Sequence, residues 1–167
     1  MNKAIQLHFG LDQNRRALYD ESLENALEKR KLTYNEAVQL FFDTEAQVEL
    51  LENNKQGVIF LSPSKIFILN DRFIILDKSA LFQLENNYFF IDKLLDKNHP
   101  FLSPELKAMK KLPSRIHRTT LYYSFALMII KLMDISEDLR EIKNTKLYFM
   151  LKRCLMSEPI KRHFIYI

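Results

Sequence analysis

Four histidines, His8, His99, His117 and His163, are the side chains best suited to proton transfer or metal ligation. They lie far apart with no paired metal-ligand spacing, so each is expected on a surface or in a loop. Cys154 is the single cysteine, which excludes an internal disulfide. It stands between Arg153 and Leu155 in an apolar helical pattern, where a buried structural thiol is expected and nothing nearby would activate it. Ser62 and Ser124 lack the glycine elbow that presents a hydrolytic serine. Only two glycines occur, Gly10 and Gly57. Phosphate-cradling loops need glycines where backbone approaches an oxyanion, so a Walker-type loop and a dinucleotide fingerprint are both absent. These residues imply no catalytic group, no metal and no cofactor.

The chain has 167 residues, 47% hydrophobic and 28% charged, which fits one folded domain with a real core. The formal net charge is +4. Lys107, Lys110, Lys111, Arg115 and Arg118 form the densest basic run. It has no glycine or aromatic interleaving for base stacking, so a solvated face is expected there and no nucleic-acid partner. The longest apolar run, Phe125–Ile130, is far too short to span a membrane. Met1–Leu11 lacks the apolar core of a signal peptide. With the lone cysteine, this leads to an expected cytoplasmic location.

Several elements must position these residues. Residues 1–20 read as a lead-in, with a possible strand at Ile5–Phe9, and residues 21–167 as the domain. Leu23, Ala26 and Leu27 predict a helix over Ser22–Arg30. Thr33 and Glu36 form a capping box for a longer helix that ends at Asn53-Asn54 and Gly57. Val58–Leu61, Ile66–Leu69 and Phe73–Leu76 read as short strands, the last two as a hairpin turned by Asn70-Asp71. Asn86-Asn87 reads as a loop tip, and Tyr88–Leu95 as a short helix. A short helix is expected after Glu105. Thr120–Met133 is apolar nearly all round and should run through the core. Thr145–Met156 is the last helix, ended by Pro159.

The segments Ser62-Pro63-Ser64-Lys65-Ile66-Phe67-Ile68-Leu69, Phe73–Asp77, Phe101-Leu102-Ser103-Pro104-Glu105, Tyr122-Tyr123-Ser124-Phe125-Ala126 and Cys154–Arg162 follow one another in an order that resembles a protein-kinase C-terminal lobe. Ser22-Leu23, Ala26-Leu27, Leu32-Thr33-Tyr34-Asn35-Glu36-Ala37 and Leu61-Ser62-Pro63-Ser64 are closer still to the KIND domain, the kinase non-catalytic C-lobe domain. The resemblance spans about Ser22 to Arg162. It implies a mainly α fold with a small β-hairpin, a kinase C-lobe-like helical domain without an N-lobe.

It also implies what has been lost. The positions of the catalytic His-Arg-Asp are Val58, Ile59 and Phe60, which accept no proton and hold no metal. Lys65 stands where a magnesium-binding Asn would be, and Leu121 where an Asp would anchor the catalytic loop. Asp77 occupies the metal-binding Asp position but is followed by Lys78 and Ser79. A structural ion pair is implied between Glu105 and Arg162. The expected function is a non-catalytic protein–protein interaction module, an adaptor or scaffold subunit in a cytoskeletal assembly that docks a peptide segment or a large complex. The alternatives are a permanently embedded structural component of a large complex and an allosteric pseudokinase. Candidate partner-binding residues are Phe60, Phe82, Tyr88, Phe89 and Phe90, with Phe164 and Tyr166. For Phe82, Phe89 and Phe90, and for the Phe164–Ile167 tail, packing into the chain's own core stands as the other reading.

Overall fold

The computed structural model of the chain describes residues 21–75 and 81–164. The lead-in over 1–20 with its strand Ile5–Phe9, Asp77 with Lys78 and Ser79, and Tyr166 lie outside the described residues.

Ser22 ends strand β1 (Glu21–Ser22) and caps helix α1 (Leu23–Ala26), its hydroxyl accepting from the Asn25 amide. This helix is a single turn, shorter than expected. Glu28, Lys29 and Arg30 are exposed, so no buried side chain anchors a second turn. Helix α2 (Tyr34–Asn53) begins on the expected capping box. The Thr33 hydroxyl accepts from the Glu36 amide, and the Glu36 carboxylate accepts from the Thr33 amide. Arg30 donates to both Glu36 oxygens, and this pairing lowers the Glu36 carboxyl to about 2.

Two antiparallel sheets flank the helices. The first has the order β1-β3-β4, with β3 (Ile66–Leu69) and β4 (Arg72–Ile75) joined by Asn70 and Asp71. Both turn residues adopt left-handed backbone, φ 49° and 59°, as a tight two-residue hairpin requires. The outer edge of β4 is closed by side chains of α2. The Phe73 amide donates to Asp43 Oδ2 (2.9 Å) and the Ile75 amide to Gln47 Oε1 (2.8 Å). Gln47 Nε2 returns a bond to the Phe73 carbonyl (2.8 Å). Helix α2 thus satisfies a strand edge that would otherwise lie buried without partners.

The second sheet has the order β2-β5-β6-β7, made of β2 (Gln56–Gly57), β5 (Phe82–Glu85), β6 (Tyr88–Ile91) and β7 (Ser114–His117). Its inner face buries Phe82, Phe89, Ile91 and Ile116 against Ile59, Leu102 and Leu106, the last from helix α3 (Pro104–Ala108). Gly57 is required here, because a Cβ would sit 2.6 Å from Phe89 Cζ. The larger core lies under α2, α4 (Thr120–Met133) and α5 (Lys146–Cys154). It places Val58 and Leu61 in one cluster with Phe125.

The expected mainly α domain with a small hairpin, the kinase C-lobe-like helical domain, is not what forms. The described residues hold two antiparallel sheets of three and four strands beside five α-helices. Asn86 and Asn87 are both left-handed, φ 48° and 66°, and return the chain along β5. That turn makes Tyr88–Ile91 a strand where a helix was expected. Val58–Leu61 is not a strand: its side chains divide between the two cores, and among the described residues no strand pairs with it.

Candidate protein-docking face

Strand β6 alternates. Phe89 and Ile91 point inward and are buried, while Tyr88 and Phe90 point outward, 41% and 53% exposed. The pairing with β7 sets His117 opposite Tyr88 and Arg115 opposite Phe90. The Arg115 guanidinium lies over the Tyr88 ring at 5.5 Å, and the Tyr88 and His117 rings meet edge-on at 5.3 Å. His117 Nδ1 is held 2.9 Å from the Thr119 hydroxyl. Burial, then Arg118 and Arg162, lowers the His117 pKa below the ordinary histidine value, with Glu105 acting against the shift. On the far side Glu85 pairs with Tyr88. The outer face therefore carries two exposed rings beside an exposed cation.

Of the candidate partner-binding residues, Tyr88 and Phe90 come together on this face. Phe82 and Phe89 fill the smaller core, their ring centroids 6.5 Å apart. Phe60 is half-buried against the same core, its ring 4.5 Å from that of His99. Phe164 packs on Tyr122 at 3.9 Å and on Phe41 at 4.8 Å, so it closes the chain's own core.

Arg162 is fully buried and donates to both Glu105 oxygens, at 2.5 and 3.1 Å. It also donates to the carbonyls of Met156 (2.7 Å) and Ser157 (3.0 Å), and its guanidinium lies 4.8 Å from the Tyr123 ring centroid. Burial raises the Glu105 carboxyl, but the Arg162 bonds outweigh it and the group titrates below the ordinary glutamate value. The pair ties the start of α3 to the segment after α5.

Arg118 leaves the basic run. It donates to both oxygens of Glu52 (2.7 Å each) and to the Tyr122 hydroxyl (2.9 Å), while Lys107, Lys110, Lys111 and Arg115 are exposed. Burial pushes the Tyr122 phenol up to about 12 and raises the Cys154 thiol as well. The Ser62 hydroxyl lies 2.9 Å from that of Ser64, and the buried Ser124 hydroxyl has no hydrogen-bond partner among the described residues. Val58, Ile59 and Leu121 are buried within the apolar cores. Among the described residues, no group of three His, Cys, Asp or Glu side chains could hold a metal ion. No helix among them is long and apolar enough to cross a membrane.

Two features escaped the sequence reading. Strand β7 lay inside the basic run, and its only sign is that Ile116 separates Arg115 from His117, the period-two pattern of a half-buried strand. A cleft of about 510 Å³ opens between α2 and the segment after α5, lined by Glu45, Glu49, Glu52, Arg118 and His163. Its residues are too far apart in the chain for any local motif to announce it. No protein-family model matches the chain, and no curated protein matches it in sequence.

Proposed function

We propose that this chain is a non-catalytic protein-binding module, an adaptor or scaffold subunit that holds a partner on the outer face of its four-stranded sheet. The observation that carries the reading is Tyr88 and Phe90 side by side in solvent with Arg115 stacked on one of them. Aromatic rings and arginine are the groups that dominate protein interfaces. Exposed Lys110 and Lys111 just before β7 add positive charge, which favours a partner segment that is acidic. The non-catalytic reading rests on residue types. Where the resemblance puts the catalytic His-Arg-Asp stand buried Val58 and Ile59 and half-buried Phe60, and exposed Lys65 replaces the magnesium-binding Asn. The resemblance to the KIND domain contributes the adaptor role and the cytoskeletal, cytoplasmic setting, and no cofactor enters the reading. It does not contribute the architecture.

The test is affinity capture from the native source at physiological salt, with the wild-type chain and with Phe90→Asp. The wild type should retain a discrete partner, and Phe90→Asp should weaken retention at least about tenfold. Because Phe90 is exposed, its stability should stay within about 0.5 kcal/mol of wild type. Magnesium-ATP should leave the unfolding temperature of both unchanged. A partner held equally by both chains would remove the outer face from the account. A clear stabilisation by magnesium-ATP would revive the nucleotide-binding reading.

A further inference from the structure

We infer that β7 is a docking edge, on which an extended partner segment with acidic residues at alternate positions adds to the sheet as a fifth strand. This rests on the proposal that the outer sheet face binds protein, and it specifies how.

The sheet order places β7 on the outside. Just beyond the Tyr88·His117 pair, the Arg118 amide donates to the Asn87 carbonyl at 2.9 Å. Hydrogen-bonded and non-bonded pairs alternate along an antiparallel ladder, so the bonded pairs between β6 and β7 are Phe89·Ile116 and Ile91·Ser114. The β5–β6 hairpin agrees. Its two-residue turn makes Glu85·Tyr88 a bonded pair, so Tyr88 directs its amide and carbonyl to β5 and Phe89 directs its own to β7. The amides and carbonyls of Arg115 and His117 therefore point away from the sheet. Among the described residues no strand pairs with them there. On β4 the chain closes the same kind of edge with Asp43 and Gln47. The edge of β7 is left open, and an open edge is a template for another strand.

The geometry also selects the occupant. Residues paired with Arg115 and His117 would put their side chains on the outer face, and a carboxylate opposite Arg115 gains a cross-strand charge pair. The residue between them would face inward beside Ile116, at the rim of the smaller core, and should be apolar. A second copy of β7 fits less well. Antiparallel self-pairing sets Arg115 against Arg115 or His117, and neither supplies a carboxylate.

The experiment uses the wild-type chain and a synthetic peptide of alternating glutamate and valine with blocked ends. Its counterpart alternates lysine and valine. The acidic peptide should bind at least about tenfold tighter than the basic one. It should slow hydrogen exchange at the Arg115 and His117 amides. The segment adds antiparallel, the orientation in which residues opposite Arg115 and His117 exchange bonds with them directly. Methylating the glutamate backbone nitrogens should therefore abolish binding, whereas methylating the valine nitrogens should not, because only the glutamate amides face β7. Arg115→Glu should reverse the charge preference. Equal binding of the two peptides, binding without slowed exchange at Arg115 and His117, or full binding by the glutamate-methylated peptide would each overturn strand addition. Loss of the natural partner from Phe90→Asp, with no peptide binding at β7, would overturn strand addition and leave the face reading standing. Retention of that partner by Phe90→Asp overturns the face reading, whatever the peptides do.

Discussion

Arg162→Met should lower the unfolding free energy by about 3–5 kcal/mol, read by urea denaturation at neutral pH. The guanidinium has no access to water and makes two bonds to Glu105 and two to backbone carbonyls. Methionine fills the volume but leaves the half-buried Glu105 carboxylate uncompensated and two carbonyls without donors. Glu105→Gln in the Arg162→Met background should recover part of the loss, because the stranded charge is then gone. The two substitutions together should cost less than the sum of each alone. The sign of the pH dependence follows from the same pair. The Glu105 carboxyl is lowered from 4.5 in the folded chain, so its contribution is complete above that value and disappears as pH falls below it. Glu36 behaves alike over the window from 4.5 to about 2. The wild type should therefore lose stability steeply in acid, and Arg162→Met less steeply. A loss under about 1 kcal/mol for Arg162→Met would show that the pair is not a structural anchor.

Gln47→Leu should cost about 2–6 kcal/mol, because two buried backbone groups lose their partners at about 1–3 kcal/mol each. The amide of Ile75 and the carbonyl of Phe73 both depend on this one side chain, which is 2% exposed. Leucine matches the size of glutamine but offers neither donor nor acceptor. Hydrogen exchange at the Ile75 amide should accelerate in the variant beyond what its lower global stability explains. Unchanged stability would mean that water can reach the β4 edge.

The two long helices were legible because their signals are local. The Thr33–Glu36 box and the mostly apolar segment Thr120–Met133 each state a boundary within a few residues. The second sheet was not, for a physical reason. In Tyr88-Phe89-Phe90-Ile91 both parities are apolar, so the alternation that marks a half-buried strand is hidden. The turn that decides the matter rests on two asparagines in left-handed backbone, and asparagine pairs serve loops of many kinds. The same run explains the site. Phe82, Phe89 and Phe90 were indistinguishable by type, and only the hairpin register sorts two of them inward and one out. The Glu105–Arg162 pair spans 57 residues and was reached through a family resemblance, since no spacing argument covers that separation. The acidic α2 wall of the cleft, by contrast, has a helical spacing at Glu45, Glu49 and Glu52 that any solvated helix would also show.

Tyr88 and Phe90 are the residues that should meet a partner. Hydroxyl-radical footprinting of the chain, free and in complex with its captured partner, reads that contact from the side chains themselves. In the free chain both rings stand in solvent and should be oxidised readily. In the complex their labelling should fall at least about fivefold, with half-buried residues such as Tyr123 unchanged. Equal labelling of Tyr88 and Phe90 in the two states, with protection appearing instead along Glu45, Glu49 and His163, would contradict it.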